Sequence, residues 1–401
     1  MNEEWGCLIG LGNPSIALQE ETTTIGRVHQ TCLKTQTRIS SSHCVISHVN
    51  LPAYSVTNIT DTSSNGTFLN CQRLNKNVET TLSSFDFVQF LDSTQKEVQR
   101  YIFYEKSAEN SKFLKNYEFE NYIGAGSFGV VYSALNKITK DLVAIKIISK
   151  SKAADSLELL RRESATMKTI CHIHVVAFHQ EVETETHFFI VMEYVPGVSL
   201  EKVFESKLSD LKLSDDQKIL FLHDFFELMR DLHAKNIVHR DLKPENIKIE
   251  IVKQKYVTFK LMDFGFGKEA AELTTTLCGT PMYVAVEVYT NAMTQGSHPY
   301  NAKKVDVWSA GVIAYQLITG KHPFIKSGEC VKDFFNRAKH STFVESNEFK
   351  LLDDNFKELF KEMLCADPEK RPTFEQCLKL TVFGRKRECE RNEKSPLKKC
   401  E

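Results

Sequence analysis

The chain has 401 residues, 42% of them hydrophobic and 26% charged, with a formal net charge of −1. That length accommodates two or three domains. The near-balance of charge excludes bulk electrostatic attraction to nucleic acid or membrane, so any anion site must be local.

Eleven cysteines occur without a C-x-x-C pair, and no basic-then-apolar leader precedes Trp5. No apolar run reaches the roughly 18 residues of a membrane span. A reducing, intracellular compartment is therefore expected, with no glycan on the Asn-x-Thr triplets at Asn58 and Asn65. Residues 4–104 break into short strand-like runs, GCLIGL, SIALQE, HCVISHV, FDFVQFL and RYIFYE, which predict an all-β sandwich. Three loops between them carry polar chemistry: Gly26-Arg27, Ser40 to His43, and Asn65-Gly66-Thr67. Arginine forks onto phosphate oxygens, a serine hydroxyl donates, and an asparagine amide can clamp peptide backbone. Residues 105–116 lose the alternation and read as a linker.

From Tyr117 the pattern changes. YEFENYIGAGSFGVVYSAL and KDLVAIKIIS read as strands and SLELLRRESATMKTI as a helix. SDDQKILFLHDFFELMRDLHAKN reads as a longer helix with Ser214 as N-cap. Gly124, Gly126 and Gly129 form G-x-G-x-x-G between two strands, where missing side chains let backbone N–H groups approach phosphate oxygens. Lys146 in VAIK follows, with Glu163 on the next helix to fix its ammonium. Asp241 and Asn246 stand in HRDLKPEN and Asp263 in DFG; Asn246 and Asp263 are oxygen ligands of the kind Mg2+ takes. Residues 384–401 form a polar, basic tail.

The ordered set over residues 117–383 resembles the eukaryotic protein kinases. The resemblance implies a bilobal α+β fold, ATP and Mg2+ as cofactors, and transfer to protein serine or threonine. Lys146 would pair with the α/β-phosphates and Glu163, Asp241 would accept the substrate proton, and Lys243 would neutralise the γ-phosphate. Asn246 and Asp263 would hold Mg2+, with Thr280 in the same cluster. Val131, Ala144, Met192, Glu193 and Val195 would complete the nucleotide pocket with the three glycines. Asp306 and Arg371 resemble braces of the large lobe, with Arg371 pairing Glu287. Met167, Phe178, His239 and Phe264 resemble its hydrophobic spine.

Over residues 4–104 the chain resembles the forkhead-associated (FHA) domain, a phosphothreonine reader. By that resemblance Arg27 and Ser40 bind phosphate, Asn65 binds peptide backbone, His43 supports the loop, and Gly66 and Thr67 shape the turn. The combined expectation is a multidomain chain: an FHA sandwich, a linker over 105–116, a kinase domain over 117–383 and the tail.

Four positions depart from these families. Val286 replaces the proline before Glu287, which suggests a softer loop. Lys248 stands beneath the adenine position, its stem covering the ring and its ammonium reaching water. Ser199 replaces a glutamate associated with arginine-directed substrates, although Glu201 and Glu245 remain nearby. Ser41 replaces a frequent cation, for which Arg38 can substitute.

Together the modules resemble the checkpoint effector kinases. That implies docking on phosphothreonine-bearing scaffold or adaptor proteins, a transient homodimer phosphorylating in trans, and no direct nucleic-acid or membrane partner. Phosphate on Thr276 would pair with Arg240 and order the segment that also carries Thr274, Thr275 and Thr280. Thr-Gln pairs occur only at Thr35, Thr94 and Thr294, so a separate scaffold is expected rather than self-docking, and the tail is too short for a calmodulin-binding helix. Arg385–Arg387 and Lys398–Lys399 resemble a two-part nuclear import signal, with the cytoplasm as the alternative. The histidines in CHIHVVAFH are expected to pack rather than bind zinc. The rival reading is a catalytically dead kinase fold acting as a phosphothreonine-binding scaffold.

Overall fold

The computed structural model describes residues 4–50, 55–94, 98–106, 108–125, 129–154, 157–205, 213–252, 256–263, 281–293, 300–326, 329, 331–343, 347–380 and 383. The chain divides into two compact units, residues 1–157 with 178–194, and residues 158–177 with 195–401.

Three antiparallel sheets stack in the first unit. Strands β3 (Thr22–Ile25), β4 (Cys44–Asn50), β5 (Ser55–Asp61) and β8 (Glu79–Thr81) form a four-stranded sheet. The central sheet has β1 (Gly6–Gly10), β2 (Ile16–Leu18), β6 (Thr67–Leu69), β7 (Gln72–Arg73), β9 (Phe87–Phe90) and β10 (Gln99–Glu105), in the order β2-β1-β10-β9-β6-β7. The third has β11 (Tyr117–Ala125), β12 (Gly129–Asn136), β13 (Leu142–Ser149), β14 (Phe178–Glu183) and β15 (His187–Glu193), in the order β11-β12-β13-β15-β14.

Side-chain alternation builds this stack, because successive residues of a strand face opposite ways. On β10, Tyr101 and Phe103 join a core with Cys44, Ile46 and Ile59 of the four-stranded sheet. Their neighbours Ile102 and Tyr104 join a second core with Tyr132, Ile145 and Phe189 of the third sheet. The central sheet is thus apolar on both faces.

The stretch expected to be a linker contains α1 (Ala108–Leu114). Phe113 packs on Tyr117 and Phe189 with ring centroids 4.9 and 4.4 Å apart. Tyr104 and Ser111 hydroxyls lie 2.8 Å apart, and the Asn110 amide donates to Thr186 Oγ1 at 3.3 Å. These contacts seat the helix on the third sheet.

The second unit holds strands β16 (Val198–Ser199), β17 (Ile247–Val252) and β18 (Tyr256–Leu261) in one sheet. Its helices are α2 (Leu157–Thr169, all but Leu157 in this unit), α3 (Leu200–Glu205), α4 (Asp215–Ala234), α5 (Val286–Met293), α6 (Ala302–Thr319), α7 (Val331–Lys339), α8 (Asn347–Lys350), α9 (Asp354–Met363) and α10 (Phe374–Cys377). Ser214 caps α4 as its sequence predicts: Ser214 Oγ accepts the Gln217 N–H at 3.2 Å, and the Gln217 side chain accepts the Ser214 N–H at 2.8 Å. Helix α6 is buried almost all round, with Trp308 and Tyr315 fully enclosed, the mark of a core helix. Among the described residues no helix is long and apolar enough to cross a membrane.

Candidate functional site

At the edge of the front sandwich, the three sequence-predicted loops converge. The Arg27 N–H donates to the Ser40 carbonyl at 3.0 Å, and the Ser64 N–H donates to Ser40 Oγ at 3.1 Å. The Ser40 hydroxyl proton therefore remains available to donate elsewhere. The Arg27 guanidinium reaches the Thr37 carbonyl at a long 3.5 Å, and the Asn65 amide donates to the Arg38 carbonyl at 2.7 Å. His43 is fully buried between the loops. Its Nδ1 accepts the Ser40 N–H at 3.2 Å, and its Nε2 lies 3.1 Å from the Gly66 carbonyl. An accepting Nδ1 requires the neutral ring, and burial holds its pKa below the usual histidine value.

Gly66 has φ +101°, a conformation L side chains rarely adopt. Asp61 braces the turn after it: its Oδ1 accepts the Ser63 N–H at 3.0 Å and the Thr67 hydroxyl at 2.8 Å. Asp61 ends β5, and its residue type alone does not announce this bracing role. Hydrogen bonds between the loops thus gather Arg27, Ser40 and Asn65 into one cluster.

The third sheet sorts its residues by parity. Register sets Lys146 opposite Val131 and Ile190, and Ala144 opposite Ser133 and Met192. Val131, Ala144, Lys146 and Met192 consequently share one face, while Tyr132, Val143, Ile145, Phe189 and Val191 fill the other. Glu193 ends β15 opposite Val143. At Gly129 an added Cβ would meet the Ile147 carbonyl at 2.0 Å, so only glycine lets β12 close on β13. At Gly124 an added Cβ would meet nothing within 4 Å, which leaves its backbone open to approach.

In the second unit, Asp306 organises the loop that leads into Asp241. It is 1% exposed, and its carboxylate accepts the His239 N–H at 2.9 Å, the Arg240 N–H at 2.8 Å and the His233 ring at 2.9 Å. These bonds hold Arg240 at φ 66°, a left-handed conformation costing a non-glycine residue about 1 kcal/mol or more. Beside it, Lys243 Nζ lies 2.9 Å from Asp241 Oδ2, and the Asn246 amide donates to the Asp241 carbonyl at 3.0 Å. The Met262 N–H donates to the Asn246 carbonyl at 2.9 Å, and His239 Nε2 lies 3.0 Å from the Met262 carbonyl. The strand leading to Asp263 is thereby tied to the loop carrying Asp241. Burial would lower the Lys243 pKa, but Asp241, with help from Glu245 and Asp263, more than offsets it and raises the pKa. Burial first, then the Glu245 and Glu205 carboxylates, raise the pKa of Glu201.

The expected brace is present: Arg371 holds Glu287 through two bonds of 2.7 and 2.8 Å. Val286, expected to soften a loop, is buried and begins α5. The Lys248 ammonium donates to the Val195 carbonyl at 2.9 Å, a bond its sequence position does not announce, with burial foremost and Lys202 second in lowering its pKa. Gly126, Phe264, Thr274, Thr275, Thr276, Thr280, Thr294, the tail signal and the Glu163 side chain lie outside the described residues.

The model of the protein kinase domain matches residues 117–383, and that of the FHA domain matches residues 23–91. A probable serine/threonine-protein kinase of Dictyostelium discoideum, fhkC, is 31% identical over 392 residues, covering 94% of this chain; the chain spans 64% of that protein's length. The ovarian-specific serine/threonine-protein kinase Lok of Drosophila melanogaster is 30% identical over 362 residues, covering 86% of this chain and 73% of Lok. Among solved structures, residues 1–466 of Rad53 in complex with AMP-PNP align with TM-score 0.55 and 23% identity, covering 94% of this chain and 99% of that one. That likeness speaks to fold.

Proposed function

This chain belongs to the protein kinase family, with an FHA domain ahead of the kinase domain, and from that premise we propose that it phosphorylates protein serine and threonine hydroxyls with ATP after phosphothreonine docking. The observation that carries the catalytic part is the cluster of Asp241, Lys243 and Asn246 braced by Asp306. Asp241 is held to accept the proton of an incoming hydroxyl, and the Lys243 ammonium beside it offsets charge gathering on the transferred phosphate. Lys146, on the face it shares with Val131 and Ala144, would hold the nucleotide phosphates. Asn246 spends its N–H on Asp241, which keeps its amide oxygen as a ligand atom. With the Asp263 carboxylate it would supply hard oxygen donors of the kind magnesium takes. Bound magnesium would neutralise phosphate charge; the remaining work falls to the protein's own groups.

Several extensions rest on resemblance. Phosphate on Thr276 would switch the enzyme on, with Arg240 as its partner. The acidic group of Glu201, Glu205 and Glu245 favours a basic residue near the target hydroxyl. Scaffold docking would gather copies for phosphorylation in trans, in a checkpoint type of signalling, with nuclear residence through the tail.

Labelled ATP with magnesium and a basic peptide, supplied to the full chain and to Asp241→Asn, tests the proposal. We expect the variant to lose a hundredfold or more of the rate, roughly the span attributed to general-base catalysis. Equal labelling by the two would leave only a phosphothreonine-binding scaffold.

A further inference from the structure

The nucleotide chemistry uses one face of the third sheet, and the other face is buried under the front sandwich and α1. Phe85 and Phe87 of the FHA domain grip that face. Phe87, at the start of β9, stacks on Tyr122 of β11 with centroids 4.4 Å apart and planes 13° from parallel. Tyr132 of β12 is fully buried, and its hydroxyl donates to the Phe85 carbonyl at 2.7 Å. The Phe85 ring stands edge-on to Phe189 at 5.5 Å. Between the two phenylalanines, Asp86 lies 3.8 Å from Lys152.

Position in the sequence makes this contact chemically consequential. Tyr122 precedes Gly124 by two residues and Tyr132 follows Gly129 by three. The two tyrosines pair in register, with ring centroids 5.7 Å apart. The FHA domain therefore touches both strands that enter and leave the glycine-rich loop, on the face opposite Lys146. A loop that binds phosphate through backbone N–H groups depends on how its flanking strands are spaced. A close-packed interface passes small displacements on instead of absorbing them, so a shift of β11 or β12 would misplace the backbone N–H groups that hold the phosphates.

We infer that Phe85 and Phe87 of the FHA domain are positioning residues for the kinase reaction, fixing β11 and β12 so that the phosphate-binding backbone is correctly set. This rests on the kinase reading above. It differs from plain core packing, in which the sandwich would stabilise the sheet and leave nucleotide affinity unchanged.

The test uses the full chain and four variants: Phe87→Ala, Tyr122→Ala, their combination, and Tyr122→Phe. A fluorescent non-hydrolysable ATP analogue with magnesium is titrated into each, alongside melting temperature, phosphothreonine-peptide affinity and kcat at saturating ATP. Each alanine variant should bind the analogue about tenfold more weakly, within the usual range of site coupling. The double variant should be no worse than either single one, since both remove one shared contact. Tyr122→Phe keeps the stacked ring and should restore affinity, while peptide binding and kcat at saturation hold. Lower melting temperatures with unchanged analogue affinity would overturn the inference, as would losses that simply add. If Phe87→Ala does not fold, the half-buried Tyr122 pair decides alone: restoration by phenylalanine supports the inference and its failure refutes it. A wild-type chain that binds no nucleotide would sink the kinase reading, and this inference with it; a wild-type chain that binds while the variants match it sinks the inference only.

Discussion

His43 shows how much one buried side chain decides in the reader. It joins the Ser40 loop to the Gly66 turn from inside, so the loops that would present Arg27 and Ser40 to a phosphate are held by a residue that no ligand need touch. Arg27 and Asp61 separate contact from support. Arg27→Ala removes a guanidinium and should weaken binding of a phosphothreonine peptide by about 2 kcal/mol, roughly thirtyfold, the worth of a charge-assisted bond. Asp61→Ala, which frees the Ser63 and Thr67 donors, should weaken binding and also lower the melting temperature. Fluorescence anisotropy and thermal denaturation on both variants check this; an Arg27→Ala protein with undiminished affinity would mean the loops serve only the fold. The signature residues here were legible from their types and order. The bracing by Asp61 and the Lys248 bond to Val195 were not, because each depends on how the chain folds back to bring the partner within reach.

Strand β15 contributes to the pH response of the first unit, alongside His43. Its first residue, His187, lies edge-on to Phe85 at 4.8 Å. Burial foremost, with Lys152 adding, pulls its pKa down from 6.5 to about 4, against a backbone bond to Ser84. The unfolded chain takes up this proton below 6.5 and the folded one only below about 4. Stability from a neutral His187 is therefore complete above pH 6.5 and declines as pH falls toward 4, by up to about 3 kcal/mol. Melting temperatures should fall between pH 7.5 and pH 4.5, and His187→Gln should flatten the fall; a parallel fall in the variant would assign acid sensitivity elsewhere. His322 in the second unit, with a pKa also lowered to about 4 by burial, will contribute a separate decline, so partial flattening is the expected result. At this scale β13 gave a clue in its sequence: LVAIKIIS is apolar at both parities, as befits a strand buried on two faces. Periodicity alone could not say what buries the second face.

On the proposed function, the whole molecule joins a module that recognises a phosphate to one that attaches it. On the proposed reading, a scaffold with two phosphothreonines should hold two copies at high effective concentration. Self-labelling of dilute chain should then run faster with a two-site peptide than with the same amount of phosphothreonine on single-site peptides, and excess two-site peptide should slow it again. Indifference to valency would argue against phosphorylation in trans. The long stretch from Tyr117 to Phe383 was readable as a kinase because its chemistry sits in short, ordered motifs whose spacing survives folding. For the same reason Arg27, Ser40 and Asn65 stood out in the sandwich. Sequence by itself therefore determined the two modules and their order. Only the tertiary structure decided that residues 105–116 seat a helix and that Phe85 and Phe87 close the back of the third sheet. Alternation says that a strand has two faces, whereas which distant surface covers each face is settled by apolar area and shape meeting in space.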